Sequence, residues 1–260
     1  MEYKNAIMTV DNRGVAYVTF NRPAVHNAMS AEFIQEMLHI CATIEASKSI
    51  RVVVLTGAGE TFCAGGDLKW MESNIAKSRS ERIKETGELA EMFTTLNCLS
   101  KPVIGRIQGP AYGGGVGMVS VCDISIGVET AKFALTEVKL GLTPATISPY
   151  VVKRIGATNA RRNFFNSRIF AAPEAKTMGL LSEVVSVAEL DSAIEKEVRM
   201  ILKCSPSAIA SSKKLIDYVD THTAADNRIY TVANLADAWE TDEGKEGIDA
   251  FLNKRKASWN

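Results

Sequence analysis

Residues 52–68 read VVVLTGAGETFCAGGDL, and residues 103–118 read VIGRIQGPAYGGGVGM. Each begins with a short apolar run and passes straight into glycine. A run without polar alternation is the pattern of a strand covered on both faces, and the glycines that follow mark a strand-loop-helix junction. Between the two junctions, Leu89, Met92, Phe93 and Leu96 fall at helical spacing and predict a helix around 80–99. Strands separated by helices imply crossover connections and parallel pairing. Glycine lets backbone N–H groups approach a ligand with no Cβ in the way, and a helix N-terminus adds partial positive charge. Two such loops on adjacent parallel strands would aim their N–H groups at one spot, which suits an oxygen that gains negative charge during a reaction. A phosphate cradle is the weaker alternative, because no phosphate-loop or dinucleotide glycine signature is present. Tight turns and close helix packing would also explain the glycines.

Working outward, residues 6–11 and 14–20 flank Asn12-Arg13 and predict a hairpin. Ser30 predicts an N-cap, with Glu32 in the first turn and Phe33, Met37, Ile40, Cys41 and Ile44 on one helical face. Ile124–Val128 predicts a third buried strand, and Leu180–Val187 a last short one. The pattern becomes mainly helical from about 146, with helices expected near 147–155, 157–167, 173–178, 187–203, 206–219, 224–240 and 243–254. The break at Cys204-Ser205-Pro206-Ser207 suggests a boundary, with a core over 1–203 and a helical C-terminal part over 204–260 that packs on the core or on a neighbouring subunit. A spiral of small β-β-α units and a doubly wound sheet both fit this order of elements.

Composition narrows the function. The chain has 260 residues, 46% hydrophobic and 23% charged, with 30 basic and 30 acidic side chains. That balance lacks the basic excess of a general nucleic-acid binder. The five cysteines form no C-x-x-C pair and are odd in number, which points to a reduced, cytoplasmic protein. The three histidines show no metal-ligand spacing. No apolar run approaches the ~20 residues that span a bilayer, and the first ten residues lack a signal-peptide layout.

FCAGGDL at 62–68, GPAYGGGVGM at 109–118 and CDI at 122–124 together resemble the enoyl-CoA hydratase/isomerase, or crotonase, superfamily. The resemblance begins at Asn21-Arg22-Pro23 with Asn27-Ala28, continues through Phe133–Gly141 and ends at Ala250–Lys256. It implies an α/β spiral of β-β-α units, a helical C-terminal trimerisation region, and a homotrimer or homohexamer. It also implies an acyl-CoA substrate, no metal, and no cofactor beyond the coenzyme A that the substrate carries. By the same carry-over, Gly66 and Gly114 would donate the oxyanion N–H groups, and Gly113 would contact the acyl-CoA. The backbone of Ala24, Val25 and His26 and of Ala64, Gly65, Asp67 and Leu68 would hold the CoA, and Phe251 and Lys254 would reach its adenine and phosphates, often across a subunit boundary.

Hydratases of the family commonly place two glutamates around one water, one as base and one as acid. Phe133–Val138 resembles the segment that carries one of them, as Glu137. Where many carry the other, this chain has Gly117. Residues 141–153 and 112–117 resemble bacterial methylglutaconyl-CoA hydratases of leucine and acyclic-terpene breakdown. The expectation is therefore a hydratase for a branched or carboxylated 2-enoyl-CoA, with a Δ3-Δ2 enoyl-CoA isomerase as the alternative. Lys69, Arg82, Thr146 and Ser148 are candidates to meet a distal carboxylate, and Trp70 and Met71 to line the acyl pocket. Asp123 reads as a structural carboxylate that accepts from nearby backbone N–H groups.

Overall fold

In the computed structural model, which describes residues 3–260, six strands form the main sheet: β1 (Ala6–Val10), β2 (Val15–Phe20), β3 (Val52–Gly57), β4 (Val103–Ile107), β6 (Ile124–Val128) and β9 (Glu183–Val185). A three-stranded sheet holds β5 (Ala111–Tyr112), β7 (Lys132–Ala134) and β8 (Phe170–Ala171). Strands β1 and β2 are the expected hairpin, paired antiparallel from Ala6↔Phe20 to Val10↔Ala16. The Asp11 carboxylate tightens its turn by accepting from the N–H groups of Arg13 and Val15. From β2 onward every pair in the main sheet is parallel.

The order β1-β2-β3-β4-β6-β9 never reverses. A doubly wound sheet turns back at a switch point; this chain instead winds in one direction, and successive turns leave a strand in each sheet. The turn after β3 contributes a bridge at Cys63, which pairs with Ala111 of β5, and the turn after β6 contributes β7 beside β5. The spiral alternative is the observed one.

Helices cover the spiral. Helix α1 (Ala31–Ala46) starts at Ser30, whose side chain accepts from Phe33 N–H, and buries the face expected of it. Helix α2 (Leu68–Ile75) is short, and α3 (Arg79–Asn97) begins with a capping box between Ser78 and Glu81. Helix α4 (Gly114–Val121) lies almost wholly inside the protein. The two helices expected near 147–155 and 157–167 are present as the two segments of α5 (Ser148–Phe164), which meet at Gly156, whose φ of 75° and ψ of 156° are not helical. Helices α6 (Ala172–Thr177) and α7 (Leu190–Leu202) complete the winding.

The core fills the space between the sheets and α1, α3 and α4, with Phe20, Phe33, Phe62, Phe93 and Phe133 fully buried. Each such side chain stabilises the fold by about 2 kcal/mol. The C-terminal helices α8 (Pro206–Thr221), α9 (Ala224–Glu240) and α10 (Asp242–Leu252) follow a turn capped by Ser205. Arg51, at the entry to β3, donates to the carbonyls of Leu202 and Cys204 and ties this turn to the sheet. Asp123 accepts from Val103 N–H at 2.7 Å and pairs with Lys213 of α8 at 2.8 Å, the structural role expected of it. Among the described residues no helix is long and apolar enough to cross a membrane.

Candidate active site

Both glycine-rich loops sit where their strands end. The first is held from one side by Met29, which donates to Gly65 C=O at 2.7 Å and accepts from Asp67 N–H at 3.0 Å. In a parallel bridge the residue between two such bonds turns its own N–H and C=O the other way, so Gly66 N–H faces away from Met29. The second loop is held by Tyr112 N–H donating to Cys63 C=O at 2.9 Å and Gly113 N–H donating to Ala134 C=O at 2.8 Å. Gly114 opens α4, where a first-turn N–H has no partner within the helix. Among the described residues neither Gly66 N–H nor Gly114 N–H has a backbone acceptor outside the regular elements. The loops touch: a Cβ built on Gly65 would stand 3.3 Å from Gly114 N and 2.8 Å from Tyr112 C=O.

Side chains fix the first loop at its edge. Asp67 caps α2 by accepting from Lys69 and Trp70 N–H, and pairs with Arg22 at 2.8 Å. Burial alone would raise the Asp67 carboxyl, but the Arg22 guanidinium and the N–H groups of Trp70 and Lys69 outweigh it and hold the group below its ordinary value. Burial pushes the Cys63 thiol up to about 12, which leaves it protonated and unreactive at neutral pH.

Glu137 follows β7 and starts a 3-10 turn. Its Oε1 lies 2.9 Å from where a Cβ on Gly113 would stand, so glycine at 113, with φ of 50°, is what admits the carboxylate. Its Oε2 is buried and has no hydrogen-bond partner among the described residues. Burial pushes the carboxyl above its ordinary value, opposed in part by a hydrogen bond from its own backbone N–H. Glu137, Gly66 and Gly114 line one cavity of about 270 Å³, together with Met29, Trp70, Met71, Phe93 and Ile147.

Gly117 lies on α4 beneath this cavity. A Cβ there would meet Ile147 Cγ2 at 2.3 Å and Phe93 at 3.1 Å, so Ile147, from the loop before α5, fills the space that a longer side chain at 117 would need. Ile147 and Met29 were missed in the sequence. Both are plain apolar residues, and only their contacts with distant glycines mark them.

The other sequence candidates divide. Ala24 and Val25 lie in an exposed 3-10 turn (Pro23–Val25) that His26 caps in a left-handed conformation, and His26 C=O accepts from Ala64 N–H at 2.9 Å. The His26 ring meets Thr61. Leu68 and Lys69 are exposed. Thr146 lines the cavity; Ser148 does not, and donates to Ala145 C=O. Arg82 borders a neighbouring groove and donates to Lys77 C=O. Phe251 is 82% exposed on α10, which packs mainly on α8 and α9, and Lys254 follows it.

Comparison with known proteins matches this architecture along its length. A family model described as enoyl-CoA hydratase/isomerase matches residues 11–260. A short-chain-enoyl-CoA hydratase of Clostridium acetobutylicum is 33% identical over 264 residues, covering 98% of this chain and 97% of the relative. The crystal structure of an enoyl-CoA hydratase from Shewanella pealeana superposes with a TM-score of 0.95 at 32% identity, covering 98% of this chain and 96% of that one. That of an enoyl-CoA hydratase/isomerase from Marinobacter aquaeolei gives 0.93 at 35% identity, with 98% of each chain covered.

Proposed function

The chain belongs to the enoyl-CoA hydratase/isomerase (crotonase) family, and from that premise we propose that it adds water to a 2-enoyl-CoA with Glu137 as its one acid/base. The observation that carries this reading is the buried, unpartnered Oε2 of Glu137 in a cavity whose walls also bear the free N–H groups of Gly66 and Gly114. The two N–H groups accept the thioester oxygen and polarise the conjugated double bond. A water held by Glu137 attacks C3 while the carboxylate takes its proton, and the electron pair moves onto the thioester oxygen as an enolate. The same carboxyl then returns the proton to C2, so hydroxide and proton are both added and Glu137 is restored. Donors aimed at the developing oxyanion and a positioned proton carrier each contribute about 10²-fold or more. The raised Glu137 carboxyl suits a group that must both take and give a proton near neutral pH.

The CoA moiety is assigned to the backbone of Ala24–His26 and Ala64–Leu68. Phe251 and Lys254 are assigned to the adenine and phosphates of a CoA bound by a neighbouring copy, in a homotrimer or homohexamer. The exposure of Phe251 on α10, which packs mainly on α8 and α9, supports that division. The acyl group is a branched 2-enoyl unit of the 3-methylglutaconyl type. Among the described residues no Lys, Arg or His lines the inner cavity, so a distal carboxylate of a short acyl group would be met by Thr146 there.

A second reading is favoured by Ile147. It closes the wall at Gly117 with hydrocarbon, and a single carboxylate can also move a proton from C2 to C4 of a 3-enoyl-CoA. Loss of conjugated-thioester absorbance with 3-methylglutaconyl-CoA or crotonyl-CoA tests the hydratase. No change with either, together with isomerisation of a 3-enoyl-CoA, would replace it by the isomerase.

A further inference from the structure

Two cavities lie side by side at the site. The inner one, about 270 Å³, holds Glu137 and the two loop glycines. The outer groove, about 540 Å³, runs between α2, the start of α3 and the Leu140–Leu142 loop. Trp70, Met71, Thr86 and Leu142 line both, so these side chains form the partition. The partition begins directly at the reacting centre: the Trp70 ring lies 3.8 Å from where a Cβ on Gly66 would stand, and so do Cγ and Sδ of Met71. Trp70 is half-buried and packs against the core.

The outer groove is edged by Leu68, Ile75 and Leu140, which are 76%, 80% and 61% exposed. Exposed apolar surface gains by burial, so an alkyl chain laid across these residues is held favourably. Continuity selects the occupant. An acyl group whose thioester sits at Gly66 and Gly114 starts in the inner cavity, and the groove opens on the far side of the partition.

We propose that Trp70, backed by Leu142, sets acyl chain length in this enzyme: short 2-enoyl groups end at the indole, and a longer straight chain enters the outer groove only when the indole turns aside. The proposal rests on the acyl-CoA reading of the site but not on the hydration step, and its test keeps the two apart. Saturated acyl-CoAs of four to twelve carbons, which cannot be hydrated, are titrated calorimetrically against the wild type, Trp70→Phe and Trp70→Ala. Trp70→Ala is expected to raise affinity for the ten- and twelve-carbon ligands by at least about tenfold relative to the four-carbon one, with Trp70→Phe between. Leu142→Ala, at a 53% exposed position that folding tolerates, is expected to shift the profile the same way by a smaller factor. A uniform change across all chain lengths, or no change in either variant, overturns the partition. Failure of every enoyl-CoA to gain water would overturn the hydratase reading and leave these titrations standing.

Discussion

The two glycine loops that we assign to the thioester oxygen are built by opposite means. The loop at Ala64–Leu68 is held by polar side chains at its edge, through the Arg22–Asp67 pair and the Asp67 cap, and leaves room beside its key glycine: a Cβ on Gly66 would meet nothing closer than 3.8 Å. The loop at Gly113–Gly117 has almost no side chains of its own and is held by close approach. A Cβ on Gly114 would stand 2.2 Å from Met29 Cε, one on Gly115 2.2 Å from Cys63 C=O, and one on Gly117 2.3 Å from Ile147. In the first loop glycine exposes an N–H; in the second it also gives space to neighbours.

The largest expected effect bypasses both loops. Glu137→Gln keeps their geometry and should lower kcat about 10²- to 10⁴-fold, read as initial rates of hydration. The same variant carries a stability signature. The folded state holds the Glu137 proton more tightly than the unfolded chain does, so the wild type loses stability as pH rises from the ordinary carboxylate value, about 4.3, through the raised one. Glu137→Gln should therefore melt no lower than wild type at pH 8 and lose any advantage at pH 4. A variant that is less stable at pH 8 and recovers at pH 4 would contradict this.

Next comes Gly115→Ala. Its methyl group meets backbone rather than a movable side-chain end, so both loops must shift. About 1–3 kcal/mol of stability and about 10²-fold in kcat should be lost, measured by thermal unfolding and steady-state kinetics. Asp67→Ala removes a helix cap and leaves Arg22 half-buried without its partner. It should cost about 2–4 kcal/mol but only about tenfold in kcat/KM, because the bridge to Met29 stays. The smallest change belongs to Gly66→Ala, which keeps the N–H and has room for a methyl group; stability should move within about 0.5 kcal/mol. A collapse there as severe as at Gly115 would erase the distinction between the loops.

Much of this frame was legible in the chain. The strands at 52–57, 103–107 and 124–128 announced themselves because burial on both faces favours mainly apolar runs without polar alternation. Strands β5, β7 and β8 did not, since two or three residues carry no period. The one-way winding was left open because strand order is decided by crossover paths rather than by local propensity. At the site, the glycine stretches and Glu137 stood out by motif. Met29, Phe93 and Ile147 did not, because a residue pressed against a distant glycine is spelled like any other core residue. The Arg22–Asp67 pair spans 45 positions, too far for any helical or strand periodicity to couple them.

The fit of Ile147 against Gly117 also orders the history open to this site. A lineage that acquires a side chain at 117 first runs into Ile147; one that trims Ile147 to Ala first opens a hole worth about 2–5 kcal/mol. Either single step descends before the pair can climb. The one-carboxylate site is thus fenced by packing, a valley that two simultaneous or compensated changes must cross, whatever chemistry would be gained on the other side.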